Sequence, residues 1–281
     1  MAKRNSNFSM DKLNRMIREG RGQGTGKNYI PWLTIQDFPS KGRASRLVGW
    51  KTDRIHHFLT DTETRYFYLL EWNDSVVDIR EHYPLLDFQE IVKEKEDLYI
   101  DLFKDKESGV LYVLSTSFLI TLKDEKGDTF YAARSIKADY ELERKLVLER
   151  LEIERRYWRS KNIDWGIVTQ KDISVIKAKN IAWIHSSLLS SAERGLTIDE
   201  MNYYCIRFIE RIHGNSKSIR VFTADFDKEF NLDVGTGLFI FKHLIASKKI
   251  QIDMLKKINI SESIEDISIT NKIGFKEVRV I

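Results

Sequence analysis

Leu111-Tyr112-Val113-Leu114-Ser115-Thr116-Ser117-Phe118-Leu119-Ile120-Thr121-Leu122 is the stretch on which the fold turns. Its aliphatic and aromatic content reads as a strand, Lys123–Asp128 reads as a turn, and Thr129–Lys137 returns as a second strand. Working outward, Thr60–Trp72 has helical periodicity and Val76–Ile79 reads as a strand. On the other side, Leu142–Arg159 is a long helix dense in charge, followed by the strand Trp165–Thr169. Helix, strand, hairpin, helix, strand is the pattern of an α/β core with a mixed sheet.

The pattern changes after about Gln170. Helices are expected over 174–192, 197–212, 222–229 and Val234–Ser247, and a strand over Lys249–Met254. Helices followed by a short strand pair suggest a winged-helix-like module, so the expected division is 1–170 and 171–281. Ile240, Phe241, Leu244 and Ile245 repeat at helical spacing and mark a buried face. Lys242 and Lys249 then become candidate contacts for DNA or a protein partner.

Of the 281 residues, 42% are hydrophobic and 31% charged, which suits a globular chain. No run reaches the roughly 18 apolar residues of a membrane span. Polar residues follow Met1-Ala2-Lys3-Arg4, so no secretory signal is read, and a cytoplasmic protein is expected. The lone Cys205 excludes an intrachain disulfide and a cysteine-based zinc cluster. Charge is uneven: residues 1–50 hold ten Lys/Arg against three Asp/Glu, a net +7, leaving −3 for the rest. Arg15, Arg18, Arg21 and Lys27 in that arm are candidate phosphate contacts, with a solvated surface the competing reading. Residues 8–19 read as a short basic helix with Ser9 as N-cap. The glycine-rich run Gly20–Lys27 lacks the glycine and the Ser/Thr that a phosphate-binding loop requires, and no strand precedes it.

Hydrolysing a phosphodiester with a metal ion takes carboxylates to hold the cation and a positive group to balance the transition state. Positions i and i+2 of a strand face one side, so Ser135 and Lys137 share a face of the return strand. Glu63 lies on the early helix and Ser117 on the first strand of the hairpin. Taken singly these are ordinary residues of a charged protein. His56-His57 and His82 are weak metal candidates, because adjacent strand residues point to opposite faces. Tyr203 and Tyr204 read as core.

Longer segments carry more information. Glu19–Gly24, Tyr29–Thr34, His56-His57, Glu71–Glu81 and Leu148–Trp158, together with the stretch around Leu232–Met254, resemble the TnsA family of transposase endonuclease subunits. The resemblance runs from about residue 10 to about residue 255. It implies a restriction-endonuclease-like domain followed by a winged-helix-like one. It also implies cleavage of transposon 5′ ends with Mg2+ (Mn2+ substituting), a TnsB-like transposase that handles the 3′ ends, a TnsC-like ATPase regulator, and transposon-end DNA. The family's catalytic Glu falls on Glu63 and its Lys on Lys137. Ser135 takes the polar place before the Lys, and the Ile136 carbonyl is an expected metal ligand. The family's Asp falls on Ser117, in Ser115-Thr116-Ser117-Phe118-Leu119. A neutral hydroxyl is a poor ligand for Mg2+, so cutting is expected to be impaired unless a nearby acid such as Asp87 or Asp101 stands in. The other reading is an inactive adaptor that bridges transposase, ATPase regulator and DNA.

Overall fold

The computed structural model describes residues 8–37, 43–189 and 194–269, and it divides into two compact units, 1–173 and 174–281. Lys3, Arg4 and Lys41 of the basic arm, and residues 190–192 of the first expected C-terminal helix, lie outside the described residues.

Unit 1 is built on a four-stranded sheet in the order β3-β4-β5-β6. Its strands are β3 (Val76–Pro84), β4 (Ser115–Lys123), β5 (Thr129–Ile136) and β6 (Asp164–Val168). The first two pairings are antiparallel, and β6 lies parallel to β5. A separate hairpin, β1 (Ser45–Val48) and β2 (Ile55–Phe58), precedes helix α2 (Asp61–Trp72). Helix α1 (Met10–Arg18) is capped by Ser9, whose hydroxyl accepts from the Lys12 amide at 3.3 Å. The short helix α3 (Phe88–Ile91) follows β3, and α4 (Lys145–Ser160) connects β5 to β6.

Side chains alternate across the sheet and make two cores. Phe58, Phe67, Leu70, Ile79, Phe118, Ile120 and Ile136 pack on the α2 side. Leu119, Ala133, Ile153, Tyr157 and Trp158 pack on the α4 side, joined by Leu85 and Phe88.

Two strands differ in length from the sequence reading. β3 runs to Pro84 rather than stopping at Ile79, because its second half is polar yet buried: Arg80, Glu81 and His82 lie inside the protein. Periodicity in apolar residues has no means of registering such a strand. β4 starts only at Ser115. Residues 111–114 lie outside it, with Leu111 making a single bridge to Lys104 and the Leu114 carbonyl accepting from Leu85.

Unit 2 is helical: α5 (Val175–His185), α6 (Ile198–Ile212), α7 (Ile219–Glu229) and α8 (Thr236–Ala246), with a two-residue strand pair β7 (Ile250–Gln251) and β8 (Ser268–Ile269). α6 starts at a capping box in which Thr197 and Glu200 satisfy each other's backbone amides. α8 is the hub and touches α5, α6 and α7. It is not the one-sided helix expected, because Thr236, Gly237, Phe239 and Ala246 are buried along with Ile240, Phe241, Leu244 and Ile245. Lys242, on this helix, reaches across to α5, with its ammonium 4.3 Å from the centre of the Trp183 ring. Tyr203 is exposed, not core, and stacks edge-on with Tyr204 and Phe230. Among the described residues no helix is long and apolar enough to cross a membrane.

Candidate functional site

The site forms where β4 and β5 part. Their ladder ends at the pair Phe118 and Arg134, while β5 continues beside β6 to the pair Ile136 and Val168. Beyond the parting, the Ile136 amide donates to the Ser117 hydroxyl at 3.0 Å, so a side chain replaces a strand carbonyl as acceptor. The Lys137 amide donates to the Val168 carbonyl at 3.0 Å, which fixes the end of β5 against β6.

The neighbouring strand is also irregular here. Glu81 pairs with Phe118 and Tyr83 with Thr116, which sets His82 opposite Ser117. His82 has φ of +49°, a left-handed value uncommon for any residue but glycine. The kink changes which face each strand presents. Below it, Glu81 meets Arg54 and His56 and Phe118 joins the α2 core; above it, Tyr83 packs on Trp158 and Thr116 bonds to α4.

Glu63 arrives at this end of the sheet from α2, where it occupies the third helical position. Thr60 caps that helix by accepting from the Glu63 amide at 3.1 Å, and Glu63 Oε2 accepts from the amides of Leu59 (2.8 Å) and Thr60 (3.1 Å). One carboxylate oxygen is thus committed to the cap, and Oε1 makes no hydrogen bond within the described residues.

Ser135 does not face an open cleft. It is buried, accepts from Trp165 Nε1 at 3.0 Å and donates to Glu154 Oε2. Glu154, deep in α4, also accepts from Thr116 Oγ1 at 2.9 Å and lies 3.3 Å from Arg150 Nε. Arg150 Nη2 donates to the Ser115 carbonyl at 2.7 Å, and Trp158 Nε1 donates to Thr116 Oγ1 at 2.8 Å. This polar cluster was not picked out from the sequence. The signal available was Glu154 itself, an acid at helical spacing with Leu151 and Trp158 on the buried side of α4.

Lys137 follows Ile136, the last residue of β5. Burial lowers its pKa from the usual lysine value, Arg150 lowers it further, and Glu154, Glu141 and Glu63 oppose the shift. Ser117, Ile136 and Lys137 therefore lie together at the end of β5, and Glu63 on α2 is near enough to Lys137 to act on its charge. Asp87 and Asp101 are engaged elsewhere: Asp87 accepts from Tyr157 at 2.7 Å and pairs with Lys161, and Asp101 pairs with Lys104.

These residues do not make a Mg2+ site. That ion takes near-octahedral oxygen coordination, usually through carboxylates and water. Here Glu63 keeps one free oxygen, Glu154 is filled by two hydroxyls and a guanidinium, and Ser117 is neutral and already accepts an amide. Among the described residues no group of three His, Cys, Asp or Glu is placed to hold a metal.

The histidines also have other work. His56 is buried, with Nδ1 2.8 Å from Glu81 Oε2 and Nε2 2.7 Å from Thr52 Oγ1, and His82 Nε2 donates to the His57 carbonyl at 3.0 Å. Of the basic candidates, Arg21 is tied to Glu19, Asp37 and the Trp32 carbonyl, and Lys27 pairs with Asp53 at 2.7 Å. Arg15 and Arg18 are exposed on α1, Arg15 lying 3.6 Å from Glu19. Lys249 is half-buried beside the β7 strand. An apolar cavity of about 400 Å³ in unit 1, lined by Met10, Leu13, Phe88, Phe103 and Ile153 among others, includes none of Glu63, Ser117 or Lys137.

A mixed sheet between α2 and α4, with acid and lysine brought to the point where two central strands part, defines an α/β endonuclease-like domain. Residues 73–170 match the family described as TnsA-like endonuclease N terminal, and residues 172–254 match TnsA endonuclease C terminal. The chain is 36% identical to the transposon Tn7 transposition protein TnsA of Escherichia coli, an alignment that spans all of this chain and 99% of that protein. The chain belongs to the TnsA family.

Proposed function

We propose that this chain is the endonuclease subunit of a heteromeric DNA transposase, positioned to act at transposon 5′ ends but deprived of cutting by Ser117. Full-length similarity to a transposition protein supports the transposase role. The observation that carries the second part is the bond from the Ile136 amide to Ser117 Oγ, at the strand end where Glu63 acts on the charge of Lys137. In the family pattern that position is an Asp, which would offer a second oxygen and a negative charge after accepting the same amide.

In the family's chemistry Mg2+, with Mn2+ as a substitute, activates water and stabilises the leaving oxygen. Toward such an ion this chain retains Glu63 and the Ile136 carbonyl. Lys137 is the proposed cation for the phosphate, and Ser135 acts through Glu154 rather than by touching DNA. Arg15 and Arg18 are proposed phosphate contacts. Unit 2, from residue 174, is the proposed winged-helix-like docking module for the ATPase regulator or DNA, contributing no group to the cleavage site. The neutral Ser117 at the place of the family's Asp favours a second role that coexists with the first, an adaptor joining TnsB-like transposase, TnsC-like regulator and DNA. Reconstitution with the cognate transposase, regulator and transposon-end DNA tests both. The chain should enter the complex without nicking, and Ser117→Asp should enter it equally and nick. A chain that fails to assemble removes the proposal.

A further inference from the structure

The backbone on either side of Lys137 is held amide by amide. Four consecutive amides donate in turn: Ile136 to Ser117 Oγ at 3.0 Å, Lys137 to the Val168 carbonyl at 3.0 Å, Ala138 to Glu141 Oε2 at 2.8 Å and Asp139 to Gln170 Oε1 at 3.1 Å. Only the second acceptor is a strand carbonyl, and the other three are side chains. Bonds along a parallel pair are evenly spaced, so amides two residues apart meet carbonyls two residues apart on the neighbour. Lys137 bonds to residue 168, so Asp139 is due residue 170, and there the Gln170 side chain stands in for the backbone carbonyl. β5 and β6 end as strands at Ile136 and Val168, yet the Gln170 amide group adds one more rung beyond Lys137. Its nitrogen is used as well, because Gln170 Nε2 donates to Asp139 Oδ1. Glu141 closes a ring with Ala138, since its own amide donates back to the Ala138 carbonyl at 2.9 Å. Lys171 pairs with Asp139 at 2.8 Å, but Lys171 is exposed and such a pair adds little.

We propose that Gln170 and Glu141 are positioning residues for Lys137, fixing the backbone from Lys137 to Asp139 and thereby aiming the lysine. The proposal rests on the reading of Lys137 as the cation of the cleavage site. Neither side chain touches DNA in this role. With the amides of 136 to 139 all bonded, the backbone torsions of Lys137 and Ala138 are set in advance, and only the side chain of Lys137 is left to order. Without Gln170 and Glu141 the lysine would begin a loop instead of extending a strand. A shift of about 1 Å in a positioned group costs on the order of a hundred-fold in rate.

The test uses three variants of the full chain. Gln170→Met keeps the length of the side chain and removes both of its bonds. Glu141→Met and Glu141→Gln separate the bond from the charge, because glutamine keeps a carbonyl for the Ala138 amide but gives up the negative charge near Lys137. Residue-resolved hydrogen exchange should show the Asp139 amide about five-fold faster in Gln170→Met, and the Ala138 amide about five-fold faster in Glu141→Met. Acetylation of Lys137 by acetic anhydride, read by mass spectrometry, should rise in both methionine variants and stay at the parent rate in Glu141→Gln. In the Ser117→Asp background, with the cognate transposase and transposon-end DNA, the single-turnover nicking rate should fall at least about ten-fold in each methionine variant. Assembly on DNA should be unchanged, and Glu141→Gln should keep most of the rate. A lower melting temperature with Lys137 acetylation unchanged makes these residues merely structural and overturns the proposal. So does Glu141→Gln as impaired as Glu141→Met, because the charge and not the bond would then matter. Should Gln170→Met fail to fold, the Glu141 pair decides alone. If Ser117→Asp does not nick, the nuclease reading falls, and exchange and acetylation still decide whether Gln170 and Glu141 hold Lys137.

Discussion

Glu81→Gln should destabilise unit 1 severely although Glu81 does not reach the surface. The carboxylate is 0% exposed and accepts four hydrogen bonds: Arg54 Nη1 at 2.9 Å, Arg54 Nη2 at 2.5 Å, His56 Nδ1 at 2.8 Å and the His57 amide at 3.1 Å. An amide of the same shape keeps at most part of that set and leaves the buried Arg54 without a counter-charge. Removing one partner of a buried pair costs about 3–5 kcal/mol. For a domain of this size that corresponds to a fall in Tm of about 10 °C. The pH dependence follows with a definite sign. Burial alone raises the pKa of Glu81, but His56 and Arg54 outweigh it and hold the group well below its ordinary value of 4.5. A depressed carboxylate contributes its full stability above pH 4.5 and loses it as pH falls toward the folded-state value. Differential scanning calorimetry between neutral pH and pH 3 should therefore show a steep acid decline in the parent that is shallower in Glu81→Gln. Arg54→Met combined with Glu81→Leu should recover at least half the loss, because an apolar pair carries no stranded charge. A single-mutant loss below about 1 kcal/mol, or strictly additive single losses, would refute the reasoning.

Three further outcomes follow from the same structure. A methyl group on Gly237 would lie 2.4 Å from the Thr223 carbonyl, so Gly237→Ala should force α7 and α8 apart and lower the melting of unit 2 by about 1–3 kcal/mol; an unchanged melting profile counts against this close approach. Cys205 is buried, and burial pushes its thiol up to about 11, so iodoacetamide should label the native protein far more slowly than the unfolded one at pH 8. Equal rates would show that the α6 core opens readily. Gly22→Ala should also destabilise, since the glycine has φ of +77° and a Cβ there would meet Pro84 Cγ at 2.2 Å; circular dichroism melts would expose a neutral result.

The α/β core was legible because the hairpin from Ser115 to Ile136 is rich in strand-forming aliphatic and aromatic residues and Leu142–Arg159 reads as one long, charge-dense helix. The second half of β3 was not, because its buried residues are Arg80, Glu81 and His82, satisfied by distant partners that no local pattern reveals. The same applies to Glu154, whose partners Thr116 and Ser135 lie 38 and 19 residues away in sequence. Glu63, Ser117, Ile136 and Lys137 came from resemblance rather than from spacing, and the structure gathers them at one end of the sheet. Ser135 came by the same route but is turned to Glu154, because β5 follows β6 while β4 diverges. In α8, four periodic apolar residues suggested a single buried face. The additional burial of Thr236, Gly237, Phe239 and Ala246 makes it a central helix, and Lys242 covers Trp183 rather than standing clear of the surface.

One denaturing gel tests the effect of Ser117 most directly. Transposon-end DNA labelled at its 5′ strand is incubated with the cognate transposase and Mg2+, plus the parent chain, Ser117→Asp, or Ser117→Asp carrying Lys137→Ala. The parent should give no 5′-end nick, Ser117→Asp should give one, and the added Lys137→Ala should abolish it. Nicking by the parent at the rate of Ser117→Asp would contradict the claim that Ser117 disables the site.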